Sequence, residues 1–211
     1  MKIENLSQLG FIPSEIDGSE IVFSAPSEIK LPDEFSYTNY LPTVLNQGKL
    51  SICVPCSISA YLNWRQNLSD GSKDDNCIAL MDIYRSKKTA GEGMTFKDAF
   101  SFLRKEGVMS NDGLIKINSY GMINTIEDLK HALVMNGPCL GALPVYSNEF
   151  DFWRNKPGRY LEGYHAISLA GYTSDGIIIR NSWGTAFGFG GYTKIPYDEF
   201  NKLIEIWTII N

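Results

Sequence analysis

Asn46-Gln47-Gly48-Lys49-Leu50-Ser51-Ile52-Cys53-Val54-Pro55-Cys56-Ser57 leads without a break into Ile58-Ser59-Ala60-Tyr61-Leu62-Asn63-Trp64. The first part is turn-forming, with Gly48 free to adopt the backbone a tight loop needs. Ser51 is the expected N-cap of a helix, and Pro55 is tolerated in a first turn whose N–H groups have no helical partner. Val54, Ile58, Tyr61 and Leu62 then recur at helical spacing, so a buried helix is expected from about Cys53. A cysteine at such a helix start meets unpaired N–H groups and the positive end of the dipole. Both favour thiolate over thiol, which is the condition of a nucleophile.

A nucleophile needs a base, a group to orient the base, and donors for an oxyanion. Gly163-Tyr164-His165-Ala166-Ile167 places a histidine at the start of an apolar run. Ile177-Ile178-Ile179-Arg180-Asn181-Ser182-Trp183-Gly184 ends a second run on an asparagine and a tryptophan. The neutral amide oxygen of Asn181 can accept one imidazole N–H, fixing tautomer and orientation, while Trp183 shields that bond from water.

In this order, Gln47, Cys53, His165, Asn181 and Trp183, the chain resembles the papain-like cysteine peptidases. The resemblance runs from about Leu31 to Asn211 and is closest to the short, disulfide-free members from microbes and their viruses. It implies a two-lobed α+β fold with Cys53 on a helical lobe, His165 and Asn181 on an antiparallel sheet lobe, and the cleft between them. It implies a cysteine endopeptidase with a Cys53–His165–Asn181 set and Gln47 at the oxyanion, acting on peptide or protein. It implies a glycine-rich edge, Gly91-Glu92-Gly93, that pairs with substrate backbone, and a substrate surface of Gly91, Gly93, Met94, Ala142, Tyr164 and Trp183. No metal or organic cofactor is implied. Departures are Val54 after the nucleophile, where papain has tryptophan, and Ser51-Ile52 before it. Leu50 stands where the secreted members commonly have a bridging cysteine. His165 also follows Cys53 at a shorter interval than the roughly 130–150 residues of papain.

Two other classes use the same residues. Cys53-Val54-Pro55-Cys56 has the C-x-P-C form of a thiol–disulfide oxidoreductase. No buried apolar strand precedes it, however, and that reading leaves His165, Asn181 and Trp183 without a role. A catalytically idle papain-like binding module is the third reading; the intact Gln47/Cys53/His165/Asn181 set argues against it. One C-x-x-C without a second pair lacks zinc spacing.

The composition fits this picture. At 211 residues, 44% hydrophobic and 12% aromatic, the chain can build one core or two lobes sharing one. A net charge of -5 with scattered basic residues argues against nucleic-acid or anionic-membrane partners. Four cysteines, Cys53, Cys56, Cys77 and Cys139, read as free thiols in a reducing compartment. No apolar h-region follows Met1, and no stretch reaches membrane-spanning length, so a cytoplasmic protein is expected, in a virion or host cytoplasm if viral.

Residues 1–30 read as an extended, proline-punctuated arm or short prosegment ahead of a peptidase domain at 31–211. The arm is expected to cross the cleft and to be trimmed by the enzyme itself near Ser24 to Leu31. Helices are expected at Cys77–Lys87, at Thr95–Glu106 with Thr95 and Asp98 as a capping pair, and at Thr125–Met135 with Thr125 and Asp128. His131 falls off the apolar stripe of the last and reads as solvated. Strands are expected at Cys139–Val145, Tyr164–Tyr172, Ile177–Asn181, Gly191–Ile195 and Ile204–Ile210, with a hairpin at Asp175-Gly176. Helices first and strands later mean α+β.

Overall fold

The computed structural model of the protein describes residues 9–26, 28–68, 71–147 and 149–211. Residues 1–8 and Ser27 of the arm, and Ser69-Asp70 of a polar connection, lie outside the described residues. Among the described residues, four α-helices, α1 (Cys53–Gln66), α2 (Leu80–Arg85), α3 (Phe96–Lys105) and α4 (Ile126–Asn136), accompany nine strands. These are β1 (Phe35–Ser36), β2 (Val108–Ser110), β3 (Gly113–Ile115), β4 (Ser119–Met122), β5 (Cys139–Val145), β6 (Gly163–Tyr172), β7 (Gly176–Arg180), β8 (Tyr192–Pro196) and β9 (Glu205–Ile210). The main sheet runs β4-β9-β5-β6-β7-β8, with β1 added on β6, and every pairing in it is antiparallel. The α+β expectation therefore holds.

Strand β6 explains how the two lobes meet. Ile167 and Leu169 point to the core beneath α4, while Ala166 and Ala170 point towards α1. Ser168, on that second face, donates from Oγ to Ser57 O at 2.8 Å. Small side chains on one face of the strand let a helix lie close against it. α1 is buried from Cys53 through Asn63, so its hydroxyls and amide must be satisfied locally. Ser57 and Ser59 donate to Val54 O and Cys56 O at 2.8 and 2.7 Å, and Asn63 Nδ2 donates to Ser59 O at 3.0 Å.

Where β1 crosses β6, Gly171 is obligatory, because a Cβ there would lie 2.2 Å from Phe35 O. Thr95 and Thr125 cap α3 and α4 by accepting Asp98 N–H and Asp128 N–H, each at 3.0 Å. The Asp175-Gly176 hairpin also forms, with Thr173 N–H on Gly176 O at 2.9 Å.

Three expectations change. The helix expected from Cys77 starts only at Leu80, because Cys77 takes a positive φ of 48° that breaks helical geometry. Buried amides hold that approach instead: Asn63 Oδ1 accepts Asn76 N–H at 2.8 Å, and Asn76 Nδ2 donates to Asn67 Oδ1 at 2.7 Å. His131 is buried, not solvated. Its ring nitrogens sit 2.9 Å from Glu127 O and 3.2 Å from Ile29 O, because the arm covers that side of α4. The strands β1 to β4 were not expected; they are two to four residues long and carry little alternation.

Candidate active site

Cys53 is the first residue of α1 and is fully buried. The cap position is Ile52, without a side-chain bond, and Ser51 donates from Oγ to Glu92 Oε2 at 3.0 Å. Ser51 is thus not the N-cap: Pro55 removes one donor a cap would serve, and Cys56 N–H already bonds Ile52 O at 3.0 Å. Burial pushes the Cys53 thiol up to about 11, against the pull of backbone N–H groups from Ala166, Gly10, Val54 and Cys53 itself. In this covered form the loss of solvent opposes the pull of the helix start on the thiol.

Ala166 follows His165 on β6, so the strand that faces the sulfur also carries the imidazole. His165 Nε2 lies 2.8 Å from Asn181 Oδ1, just beyond the end of β7. The Trp183 ring stacks on the His165 ring at 4.6 Å and 25°, and Phe152 and Phe187 pack around the tryptophan. These rings lie on the side of His165 where Trp183 was expected to shield it. Burial drives His165 down to about 4, with the Asn181 bond opposing it. His165 Nδ1, Asn181 Nδ2 and Trp183 Nε1 are buried without a hydrogen-bond partner. Such atoms are rare in folded proteins, and three of them gathered at one place mark a site that awaits other atoms.

Gln47 is brought to the same place by backbone pairing. Its N–H donates to Ser182 O at 2.9 Å, Gly184 N–H donates to Leu45 O at 2.9 Å, and Asn46 bridges to Trp183. Ser182, which the sequence reading passed over, joins the two amides. Its Oγ donates to Gln47 Oε1 at 2.5 Å and its N–H to Asn181 Oδ1 at 2.7 Å. Gln47 Nε2 is thereby turned away from Ser182 and donates to Leu50 O at 2.8 Å. The place of Ser182 between Asn181 and Trp183 was the available signal.

The arm fills the cleft. Gly10 O accepts Met94 N–H at 2.8 Å and Ile12 N–H reaches Met94 O at 3.0 Å, pairing Phe11 with Met94 in a parallel sense. Phe11 N–H meets Tyr164 O at 3.4 Å. The Phe11 side chain is buried in one cluster with Met94, Phe96, Ala142 and Ala166, its ring 5.0 Å from that of Phe96, with Tyr164 packed alongside. Only glycine fits at position 10, since a Cβ would lie 2.2 Å from Ser51 O. Of the substrate residues expected from the sequence, Gly93, Met94, Ala142 and Tyr164 thus surround the arm, and Trp183 covers His165. Gly91 stands outside the pairing, and its carbonyl accepts from Lys87 Nζ.

Beyond the cleft the arm is held at Glu205, which accepts Ser14 N–H. Lys97 reaches Glu15 O at 2.9 Å and Glu20 Oε1 at 2.7 Å. Within the stretch expected to be trimmed, residues 25 and 29 are bonded to α4, away from the cleft segment. Ala25 N–H bonds Asp128 Oδ1 at 3.0 Å, and Ile29 O takes the His131 bond.

The sequence pattern that defines the papain family cysteine proteases matches residues 80–206, which include His165, Asn181 and Trp183. The chain belongs to that family. Cys53 and Gln47 precede the matched stretch and enter the site through the structure. The relatives include a cathepsin B-like protein, CP3, of Giardia intestinalis, 40% identical over 213 residues that span 80% of this chain and 70% of the relative. Procathepsin L of Felis catus is 24% identical over 221 residues, spanning 85% of this chain and 65% of that protein. Rattus norvegicus cathepsin Q is 29% identical over 127 residues, covering 52% of this chain and 36% of its own length. The chain therefore spans less than two thirds of both mammalian relatives. Among solved structures, xylellain, a cysteine protease from Xylella fastidiosa, superposes with a TM-score of 0.83 over 99% of this chain and 98% of its own, at 22% identity. Procathepsin B S9 of Trypanosoma congolense gives 0.80 over 98% and 88%, at 16% identity. These likenesses establish the papain fold.

Proposed function

We propose that the chain is a cysteine endopeptidase held shut by its own N-terminal arm. The observation that carries this reading is the His165–Asn181 bond under Trp183, on the strand whose next N–H faces the Cys53 sulfur. In the open enzyme, His165 Nδ1 takes the thiol proton, and the thiolate adds to a peptide carbonyl carbon. Gln47 Nε2 and the Cys53 N–H receive the oxyanion. The imidazolium then protonates the leaving amine, the C–N bond breaks, and an acyl-thioester remains. Water, deprotonated by His165, adds to the thioester and releases the acid, returning the proton to sulfur.

The arm is a plug that this chemistry does not consume. It presents the Gly10 N–H to the sulfur, while the Gly10 carbonyl is occupied by Met94. A thiolate attacks a carbonyl carbon, so a chain laid in this sense offers it nothing to cut. The division into an arm at 1–30 and a peptidase domain at 31–211 follows from that role. The four free thiols favour a reducing compartment such as the cytoplasm. The oxidoreductase alternative finds no support here, since Cys53 and Cys56 are both buried.

The test is intact mass after incubation with a peptidyl epoxide, followed by peptide mapping, beside hydrolysis of a fluorogenic peptide. A single adduct on Cys53, and loss of both labelling and hydrolysis in Cys53→Ala but not in Cys56→Ser, is expected. Labelling of Cys56 would overturn the assignment.

A further inference from the structure

Residues 35–40 meet the far end of α1, about three turns from Cys53, around a cavity of about 390 Å³. Its walls are the rings of Phe35, Tyr37, Tyr40 and Trp64. Tyr37 is buried and adjoins two of the others, 4.9 Å from Phe35 at 88° and 5.3 Å from Trp64 at 67°. Tyr40 is 55% exposed and faces water as well as the cavity. The inner rings are fixed in place: Tyr37 Oη donates to Leu133 O at 2.6 Å, and the Trp64 ring leaves no room for a Cβ at Gly137. The amide of Asn67 in the lining is already committed. Its Nδ2 donates to Asp74 O at 3.0 Å and its Oδ1 accepts Asn76 Nδ2 at 2.7 Å. What the cavity offers is chiefly ring surface.

The face of an aromatic ring is negative, so several rings set at steep angles around one space attract a cation from more than one side. The protein supplies none of its own there. Among the described residues, no lysine or arginine lies over any of the four rings, and Arg65, next to Trp64, is turned to Lys116 O at 2.7 Å. The surroundings are acidic. The described residues of 31–40 and 67–76 carry Asp33, Glu34, Asp74 and Asp75 against Lys73 alone, and none of these acids forms an ion pair among the described residues. Uncompensated carboxylates draw cations and repel anions. A primary ammonium would have to leave its N–H groups unpaired in a cavity so poor in acceptors. A quaternary ammonium has no N–H, and it carries its charge on methyl groups that pack against rings.

We propose that Phe35, Tyr37, Tyr40 and Trp64 form a binding site for a small quaternary ammonium compound. The site stands apart from the Cys53 cleft and does not depend on the peptidase reading. The methylated head sits among the rings, and the tail leaves past Tyr40 towards water.

The experiment titrates the full chain, carrying isotope-labelled tryptophan, with three compounds. These are choline chloride, its neutral isostere in which a tert-butyl group replaces the trimethylammonium head, and sodium chloride. The indole N–H signal of Trp64 is assigned by its loss in Trp64→Phe, a change that keeps a ring in the wall. Choline is expected to move that signal to saturation, and sodium chloride to leave it in place. The isostere, equal in shape and lacking only the charge, should bind about tenfold more weakly. Tyr40→Ala removes an exposed ring, and its unfolding midpoint checks that it folds; its affinity for choline should fall by about threefold or more, with a smaller change for the isostere. Equal affinity of wild type for choline and the isostere would reveal an apolar pocket indifferent to charge and overturn the proposal. A Trp64 signal that choline does not move, or a choline affinity unchanged in Tyr40→Ala, would overturn it as well.

Discussion

At the scale of single residues, the groups proposed to react stand out in sequence because each has a partner at a recognisable chain interval. The group that aligns them was not. Ser182 is an ordinary serine in sequence, and its role exists only because backbone pairing brings Gln47 beside it. Removing its hydroxyl leaves Gln47 Oε1 without that donor and lets the amide turn. Ser182→Ala is therefore expected to lower kcat by about tenfold, less than the roughly 10²–10³ lost when an oxyanion donor itself is removed. Asn181→Ala should fall between Ser182→Ala and His165→Ala, since it disturbs the base without deleting it. A kcat for Ser182→Ala equal to that of wild type would mean that the backbone alone positions Gln47. In the covered form burial opposes the helix start at the Cys53 thiol, and burial cannot be seen in a local stretch of sequence.

At the scale of elements, both threonine caps and the five long strands were written in the sequence, because capping and alternation are local. The described part of the arm, residues 9–26, forms no helix, and Gly10-Phe11-Ile12 becomes distinctive only against Ser51 and Met94. Gly10→Val places a Cβ against Ser51 O, and overpacking of this kind costs about 1–3 kcal/mol. Cys53 in that variant should react with iodoacetamide faster than in wild type, and an equal rate would remove Gly10 from the seat of the plug.

Acid should loosen the same seat. In the covered site His165 is driven down to about 4 from an ordinary 6.5. An uncovered imidazole binds its proton nearer the ordinary value, so between those limits the open form takes up a proton that the closed form refuses. Closure is therefore undiminished above 6.5 and weakens as pH falls towards about 4, by up to about tenfold per unit. Glu20, held below the usual carboxylate range by its bond to Lys97, acts in the same direction at lower pH still. Arm release, read as proteolytic sensitivity of residues 9–26, should rise from pH 7 to pH 4.5, and the rise should be smaller in His165→Ala.

At the scale of the whole molecule, the helical and sheet lobes and the cleft between them followed from the order of helices and strands. Their close approach did not, since it depends on Ala166, Ser168 and Ala170 sharing one face of β6. The path of the arm sets how it can be processed. Residues 25 and 29 are bonded to α4 while residues 10–12 occupy the cleft, so a closed molecule cannot deliver the stretch from Ser24 to Leu31 to its own sulfur. Trimming there is expected to need a second, open molecule, and its rate should rise with protein concentration. A fractional rate independent of concentration would show that the arm can fold back on itself. The seating of residues 10–12 against Met94 and Tyr164 has one more consequence. A cut near Leu31 severs the tether but does not touch the plug, whose bonds to Met94, Tyr164 and Glu205 are all intact. Before the cut, the plug faces its seat at an effective concentration of about millimolar; afterwards, only at the concentration of free fragment. Freshly nicked enzyme in a concentrated stock should therefore stay silent and wake on dilution, and a synthetic peptide of residues 9–26 should put it back to sleep without being digested.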